Sequence, residues 1–272
     1  MFRRPLGALL AALLTFALVN AAPASAAPAV DLAGTVALSN CSGSIVHLAG
    51  TPATAPALVL SNGHCLEEGF PAPGEVIVDQ PSQRSFTLLA GDGAELGTVP
   101  ATKLLYATMT GTDASVYQLG LSYAELERTH GVTALELAEQ RPSAGSDITV
   151  ASGYWKQTYS CSVDGFVHEL HEGDYVWDDS IRYTPECETI GGTSGSPIVD
   201  VATGEVVGVN NTGNENGERC TMNNPCEVAG DGAVTVREGI NYGQQTYDLY
   251  GCLTAGNEIE LGRPACELPQ PA

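Results

Sequence analysis

Short runs of β-forming residues recur along this chain, each ended within a few residues by turn formers. They fall at 34–38, 44–48, 57–60, 75–78, 85–89 and 115–119, and after a break at 147–151, 166–170, 196–200, 205–209 and 234–236. Turns such as Gly91-Asp92-Gly93 and Asn214-Glu215-Asn216-Gly217 punctuate them. A strand of this length cannot bury its apolar face alone, so many short strands at regular spacing predict a barrel or a sandwich. The expected fold class is all-β.

One helix interrupts the pattern. Ser122-Tyr123-Ala124-Glu125 is a capping box and Gly131 stands where a helix would stop. The segment 122–145, ending in Pro142-Ser143-Ala144-Gly145, reads as the connection between two β-rich halves, 27–121 and 146–250, with 251–272 as a C-terminal segment. Residues 51–56 read as a surface loop, and Gln270 to Ala272 are expected to fray.

The first 26 residues read as a signal peptide. Arg3 and Arg4 give a basic start, 6–19 an apolar run, and Ala24-Ser25-Ala26 a small-residue cleavage site. Removing them leaves 246 of the 272 residues, enough for one large β domain or two small ones. No later stretch approaches ~20 apolar residues, so a secreted protein without a membrane partner is expected. Arg3 and Arg4 are two of the eleven basic residues, so nine remain against 32 acidic ones. So acidic a surface excludes nucleic acid and anionic lipid as partners.

All eight cysteines lie beyond residue 26: Cys41, Cys65, Cys161, Cys187, Cys220, Cys226, Cys252 and Cys266. An even number in an exported chain predicts four disulfides, although eight cysteines allow about 105 pairings. Pairing in sequence order would give Cys41–Cys65, Cys161–Cys187, Cys220–Cys226 and Cys252–Cys266. No C-x-x-C pair is present, which disfavours zinc.

The chemistry concentrates at three places. Gly191-Gly192-Thr193-Ser194-Gly195-Ser196-Pro197 surrounds one serine with small residues and leads into an apolar strand. Glycines let backbone N–H groups approach a reacting atom, so the string can expose a nucleophile beside an oxyanion hole. A serine hydroxyl is a weak nucleophile until a base takes its proton. Asn62-Gly63-His64-Cys65 supplies a histidine just past a strand, and Thr112-Asp113-Ala114 an aspartate at the start of another.

Cys41-Ser42-Gly43-Ser44-Ile45-Val46, Asn62-Gly63-His64-Cys65, Asp113 leading a strand and Gly192-Thr193-Ser194-Gly195-Ser196-Pro197 together resemble the chymotrypsin/trypsin family of serine proteases, its secreted bacterial members above all. The resemblance runs from residue 34 to about residue 250. It implies two antiparallel six-stranded β-barrels with the active site in the cleft between them. It further implies His64 as general base and then acid, Asp113 as the carboxylate orienting it, and Ser194 as nucleophile. The N–H groups of Gly192 and Ser194 would bind the oxyanion. A monomeric endopeptidase acting on polypeptides, with no cofactor and no metal, is expected, with His64 titrating near 6.5.

The departures are informative. Thr193 stands where trypsin-type zymogens carry the aspartate that pairs with a freed N-terminus, and Ala27-Pro28-Ala29-Val30 differs from the usual Ile-Val-Gly-Gly. A site competent once folded and disulfide-bonded is therefore expected. Glu188 lies six residues before Ser194, where relatives place the base of the specificity pocket, which predicts basic P1 residues. Cys187 is displaced from its usual place, so the local loop differs. Asn210-Asn211-Thr212-Gly213 replaces Ser-Trp-Gly, making Asn210 and Thr212 the expected substrate-binding wall. No histidine of the glutamyl-specific type occurs there, which ranks acidic substrates last.

Other readings remain open. A catalytically silent chain could bind peptides or cell-wall material in the same cleft, and an esterase could use the same acylation. His168-Glu169-Leu170-His171-Glu172 looks superficially metal-binding but lacks the i, i+4 histidine pair of a helical zinc site.

Overall fold

The computed structural model describes Met1 and residues 29–271. The expected signal segment 1–26 lies outside this description except for Met1. The first half contributes β1 (Thr35–Ala37), β2 (Ser42–His47), β3 (Pro56–Ser61), β4 (Val76–Pro81), β5 (Ser85–Leu89), β6 (Glu95–Thr108) and β7 (Ala114–Ser122). Helix α1 (Tyr123–His130) and β8 (Leu135–Glu136) follow. The second half contributes β9 (Asp147–Ser152), β10 (Gln157–Glu172), β11 (Tyr175–Tyr183), β12 (Pro197–Asp200), β13 (Val206–Gly213), β14 (Cys226–Val228), β15 (Val234–Val236) and β16 (Asn241–Gln245), before α2 (Asp248–Cys252).

Each half closes on itself. Strands β1-β5-β6-β7-β3-β2 form a ring because β2 also pairs with β1, and β11-β16-β13-β12-β9-β10 form a second because β10 also pairs with β11. Closure pairs each strand of the ring with a neighbour on both sides over part of its length and explains how strands this short are stable. Strand β8, from within the segment 122–145, pairs in parallel with β2 and so joins the first sheet. The strands are longer than their apolar runs: β6 spans 14 residues and β10 spans 16. Both carry exposed polar residues and register shifts, so hydrophobicity marks only part of each.

Val36, Ile45, Val59, Phe86 and Leu119 fill the first barrel, and Ile148, Val150, Ile181, Tyr183 and Ile198 the second. A third cluster joins them. Leu58, Leu60 and Val116 of the first barrel meet Val199 and Val206 of the second, together with Leu249 and Leu268 from the C-terminal segment. That segment straps the first barrel: Asn257 Nδ2 donates to the Pro56 carbonyl at 2.8 Å, and the Tyr106 hydroxyl to the Pro269 carbonyl at 3.1 Å. Near its end, Gln270 Nε2 donates to the Leu261 carbonyl.

The four disulfides pair the cysteines in sequence order, and none of the described cysteines is free. The capping box forms as read. Ser122 Oγ accepts from Glu125 N, Glu125 Oε2 accepts from Ser122 N, and Gly131 ends α1 in the left-handed conformation.

Candidate active site

His64 sits in a single 3₁₀ turn, Gly63–Cys65, directly after β3. Three anchors hold it. Cys65 is bonded to Cys41 at the start of β2, Asn62 Nδ2 donates to the Asp113 carbonyl at 2.8 Å, and Ser115 Oγ donates to the Asn62 carbonyl at 2.7 Å. Behind the turn lies a buried guanidinium. Arg84 is 4% exposed, and its guanidinium donates to the Cys65 carbonyl and to Asn40 Oδ1.

Asp113 is completely buried, and both its oxygens serve His64. Oδ2 lies 2.7 Å from Nδ1, and Oδ1 accepts the backbone N–H of His64 at 3.1 Å. A carboxylate can only accept from Nδ1–H, so the proton sits on Nδ1 and the Nε2 lone pair faces the cleft. Burial alone would lower the pKa of His64. The Asp113 charge, its hydrogen bond and the Glu172 carboxylate together outweigh burial, and the pKa rises above 6.5. This corrects the expectation of an unperturbed imidazole, because the Asp113 charge and hydrogen bond, joined by Glu172, which the sequence did not point to, outweigh burial.

Ser194 enters from the other barrel. Its loop is pinned to the first barrel by Ser42 N donating to the Ser194 carbonyl at 2.8 Å, and to β13 by Gly195 N donating to the Asn210 carbonyl at 2.9 Å. Gly195 has a φ of +80°, and an added Cβ would collide with the Ser42 carbonyl, so no other residue fits there. The backbone N–H groups of Gly192 and Ser194 have no acceptor among the described residues. Ser194 Oγ donates to the Asn211 carbonyl at 3.1 Å instead of to His64.

His64, Asp113, Ser194, Asn210 and Thr212 all line one cleft between the barrels. Beyond Asn210, the edge of β13 facing the cleft is unpaired, while its other edge pairs with β16. Thr212 Oγ1 donates to Glu172 Oε2 at 2.6 Å, and Asn210 Nδ2 to Thr193 Oγ1 at 3.1 Å. Asn211 is 4% exposed, and neither end of its amide has a partner among the described residues.

Two residues change places with expectation. Glu188 is exposed and does not line the cleft. Glu172, at the end of β10, is 3% exposed and does line it. Its Oε1 accepts from the backbone N–H of Asn223 at 2.9 Å, and burial raises its pKa despite that hydrogen bond and the one from Thr212. The sequence offered no signal for this. Glu172 closes a polar run, and only the β10–β11 hairpin folds it into the cleft. The same hairpin pairs His171 Nε2 with Glu169 Oε2 at 2.7 Å. Among the described residues, the group close enough to share a metal is Cys41, His64 and Cys65, whose two sulfurs are joined to each other.

Residues 41–209 match the family of trypsin-like peptidase domains. The apo MamO protease domain from Magnetospirillum magneticum shares 13% identity, with 83% of this chain and 98% of that chain covered and a TM-score of 0.52. The active form of the Rv3671c protease from M. tuberculosis shares 14% identity over 96% of this chain and 97% of that one, with a TM-score of 0.49. No curated protein matches the chain.

Proposed function

The chain belongs to the trypsin-like peptidase family, and on that premise we propose that it is a secreted serine endopeptidase cleaving peptide bonds through an acyl-enzyme. One arrangement carries the reading. A buried carboxylate orients a histidine on one barrel, and a serine flanked by two unpartnered N–H groups faces it from the other.

In the proposed reaction, Ser194 Oγ turns from the Asn211 carbonyl towards His64 Nε2 when a peptide binds. As Oγ bonds to the substrate carbonyl carbon, its proton passes to Nε2, and Asp113 stabilises the imidazolium. The N–H groups of Gly192 and Ser194 receive the oxyanion. The imidazolium returns the proton to the leaving amine as the C–N bond breaks. Water then repeats the cycle on the ester. The unpaired edge of β13 supports binding of the substrate as an added strand.

Two finer features belong to the proposal. Substrates carry a basic side chain into the cleft: its charged lining residues are Asp113, Glu172 and Glu215, all acidic. Phe70, Met109, Trp177 and Met222 offer apolar surface to the stem of a lysine or arginine. The site also needs no N-terminal ion pair. Thr193 donates to the Ile190 carbonyl, accepts from Asn210 Nδ2, and Asn210 Oδ1 accepts from the Tyr183 hydroxyl at 3.2 Å, an uncharged chain in place of a charged one. Export is supported by the four disulfides, which persist in oxidising compartments. No described helix is long and apolar enough to cross a membrane.

One observation favours a second reading, a silent peptide-binding member of the family: the Ser194 hydroxyl donates to the Asn211 carbonyl rather than to His64. A fluorophosphonate probe separates the two. Labelling of the folded chain, abolished in Ser194→Ala, is expected. Failure to label the intact chain overturns the endopeptidase.

A further inference from the structure

The Gly191–Gly192 pair is the softest backbone at the site. Gly191 is exposed, and an added Cβ there would meet nothing within 4 Å. A peptide between two glycines turns over readily, and turning this one would reverse the direction of the Gly192 N–H. Something must select its orientation.

The turn between β9 and β10 supplies the candidate. Tyr154 and Trp155 there are 41% and 48% exposed, an unusual outlay for two large aromatic side chains. The indole Nε1–H of Trp155 donates to the Gly191 carbonyl at 2.8 Å. That carbonyl and the Gly192 N–H belong to one peptide unit, and no described peptide bond is cis. In a trans peptide the C=O and N–H point in opposite directions. Anchoring the oxygen to the indole therefore aims the N–H the other way.

The neighbouring peptide is held from the same turn. Ser42 Oγ donates to the Gly192 carbonyl at 3.3 Å and accepts from Tyr154 N at 3.0 Å. Ser42 Oγ also meets Ser152 Oγ at 3.1 Å, and Ser152 Oγ accepts from Trp155 N at 3.3 Å. The ring of Tyr154 lies close against Gly192, whose φ is +90°. Both glycine carbonyls are thus fastened to residues of, or bonded to, the 152–155 turn, while the N–H groups of Gly192 and Ser194 stay unpartnered.

We infer that Trp155 is a positioning residue that holds the Gly191–Gly192 peptide in the orientation presenting the Gly192 N–H to the substrate oxyanion. It touches neither the reacting carbonyl nor the nucleophile, and it acts only through the carbonyl of Gly191. The inference rests on the proposed serine hydrolase chemistry. It places a specific demand on the residue: the ring alone is insufficient, and the N–H is required.

The test compares the intact chain with Trp155→Phe and with a chain carrying benzothienylalanine at 155, which keeps the ring shape without the N–H. The substrate is a lysine methyl ester, whose leaving group is too small to reach the aromatic pair. Loss of one hydrogen bond should lower kcat about five- to tenfold in both variants, with KM and the acid limb of the pH profile unmoved. The rate of fluorophosphonate labelling should fall in parallel, since the phosphoryl oxygen occupies the same hole. A kcat within about twofold of the intact chain in the benzothienyl variant, or a loss confined to KM, overturns the inference. Absence of labelling in the intact chain overturns the hydrolase reading itself, and this role with it.

Discussion

Asp113 gives both carboxylate oxygens to one residue, His64: 2.7 Å to the ring Nδ1 and 3.1 Å to the backbone N–H. The second contact fixes the backbone on which the ring turns, so the pair resists rotation. Catalysis requires the neutral imidazole, and its pKa is raised above 6.5. The acid limb of kcat/KM should therefore lie above pH 6.5. The same pairing stabilises the fold fully below about pH 6.5, the unfolded value, and that contribution is lost as pH rises through the raised folded value. Asp113→Asn should move the limb down and lower kcat about 10⁴-fold. A limb at or below pH 6.5 in the intact chain would contradict the electrostatic account.

Glu172 should do two measurable things. Its charge helps to raise the pKa of His64, so Glu172→Gln shifts the acid limb to lower pH. Its carboxylate is also the buried acid of the cleft apart from Asp113, so the same variant should reduce the preference for lysine or arginine over neutral side chains about tenfold. Glu188→Gln should change neither, since that side chain is exposed outside the cleft. A pH–rate profile of the three proteins checks the first statement and a peptide-library digest the second.

Thr193 is 2% exposed and its hydroxyl both donates and accepts. Thr193→Val keeps the shape and leaves the Asn210 amide without its acceptor, at a cost of about 1–3 kcal/mol. Thr193→Asp, which imitates the zymogen residue, should cost more, because the charge would be buried facing the Ile190 carbonyl. Thermal unfolding should rank them intact, Val, Asp. An aspartate variant as stable as the intact chain would mean that this pocket already accommodates a charge.

The Cys41–Cys65 bridge closes a loop between residues 24 apart and ends one residue from His64. Removing it as Cys41→Ser/Cys65→Ser should cost about 3 kcal/mol by releasing the unfolded chain. It should also lower kcat below what stability explains, because the histidine turn loses its covalent anchor. Denaturant melts and kinetics at a temperature where both proteins are folded separate the two effects.

Features that depend on a few adjacent residues were legible in advance. The capping box at Ser122 and Glu125 is one, since both partners lie within a single turn. The four disulfides close short spans, from 6 to 26 residues, so order in sequence coincided with proximity in space. Strand β10 was harder. Its burial alternates irregularly, it pairs with β9 over 157–162 and with β11 from Val163 on with a register shift between Val163 and Gly165, and only 166–170 stood out as apolar.

Residue type and order by themselves marked out an all-β chain with His64, Asp113 and Ser194 in a usable sequence, because such motifs are local and each has a chemistry of its own. The two-barrel arrangement followed from the family resemblance. Three matters were decided only in three dimensions. They are the carboxylate that faces the cleft, the indole that fastens the glycine loop, and the hydroxyl partner Ser194 adopts. Glu172 and Trp155 lie 22 and 39 positions before Ser194 in the sequence, and nothing in either residue's own neighbourhood points towards it. Their roles arise from burial and from a hydrogen bond across strands, quantities that exist only once the barrels have closed.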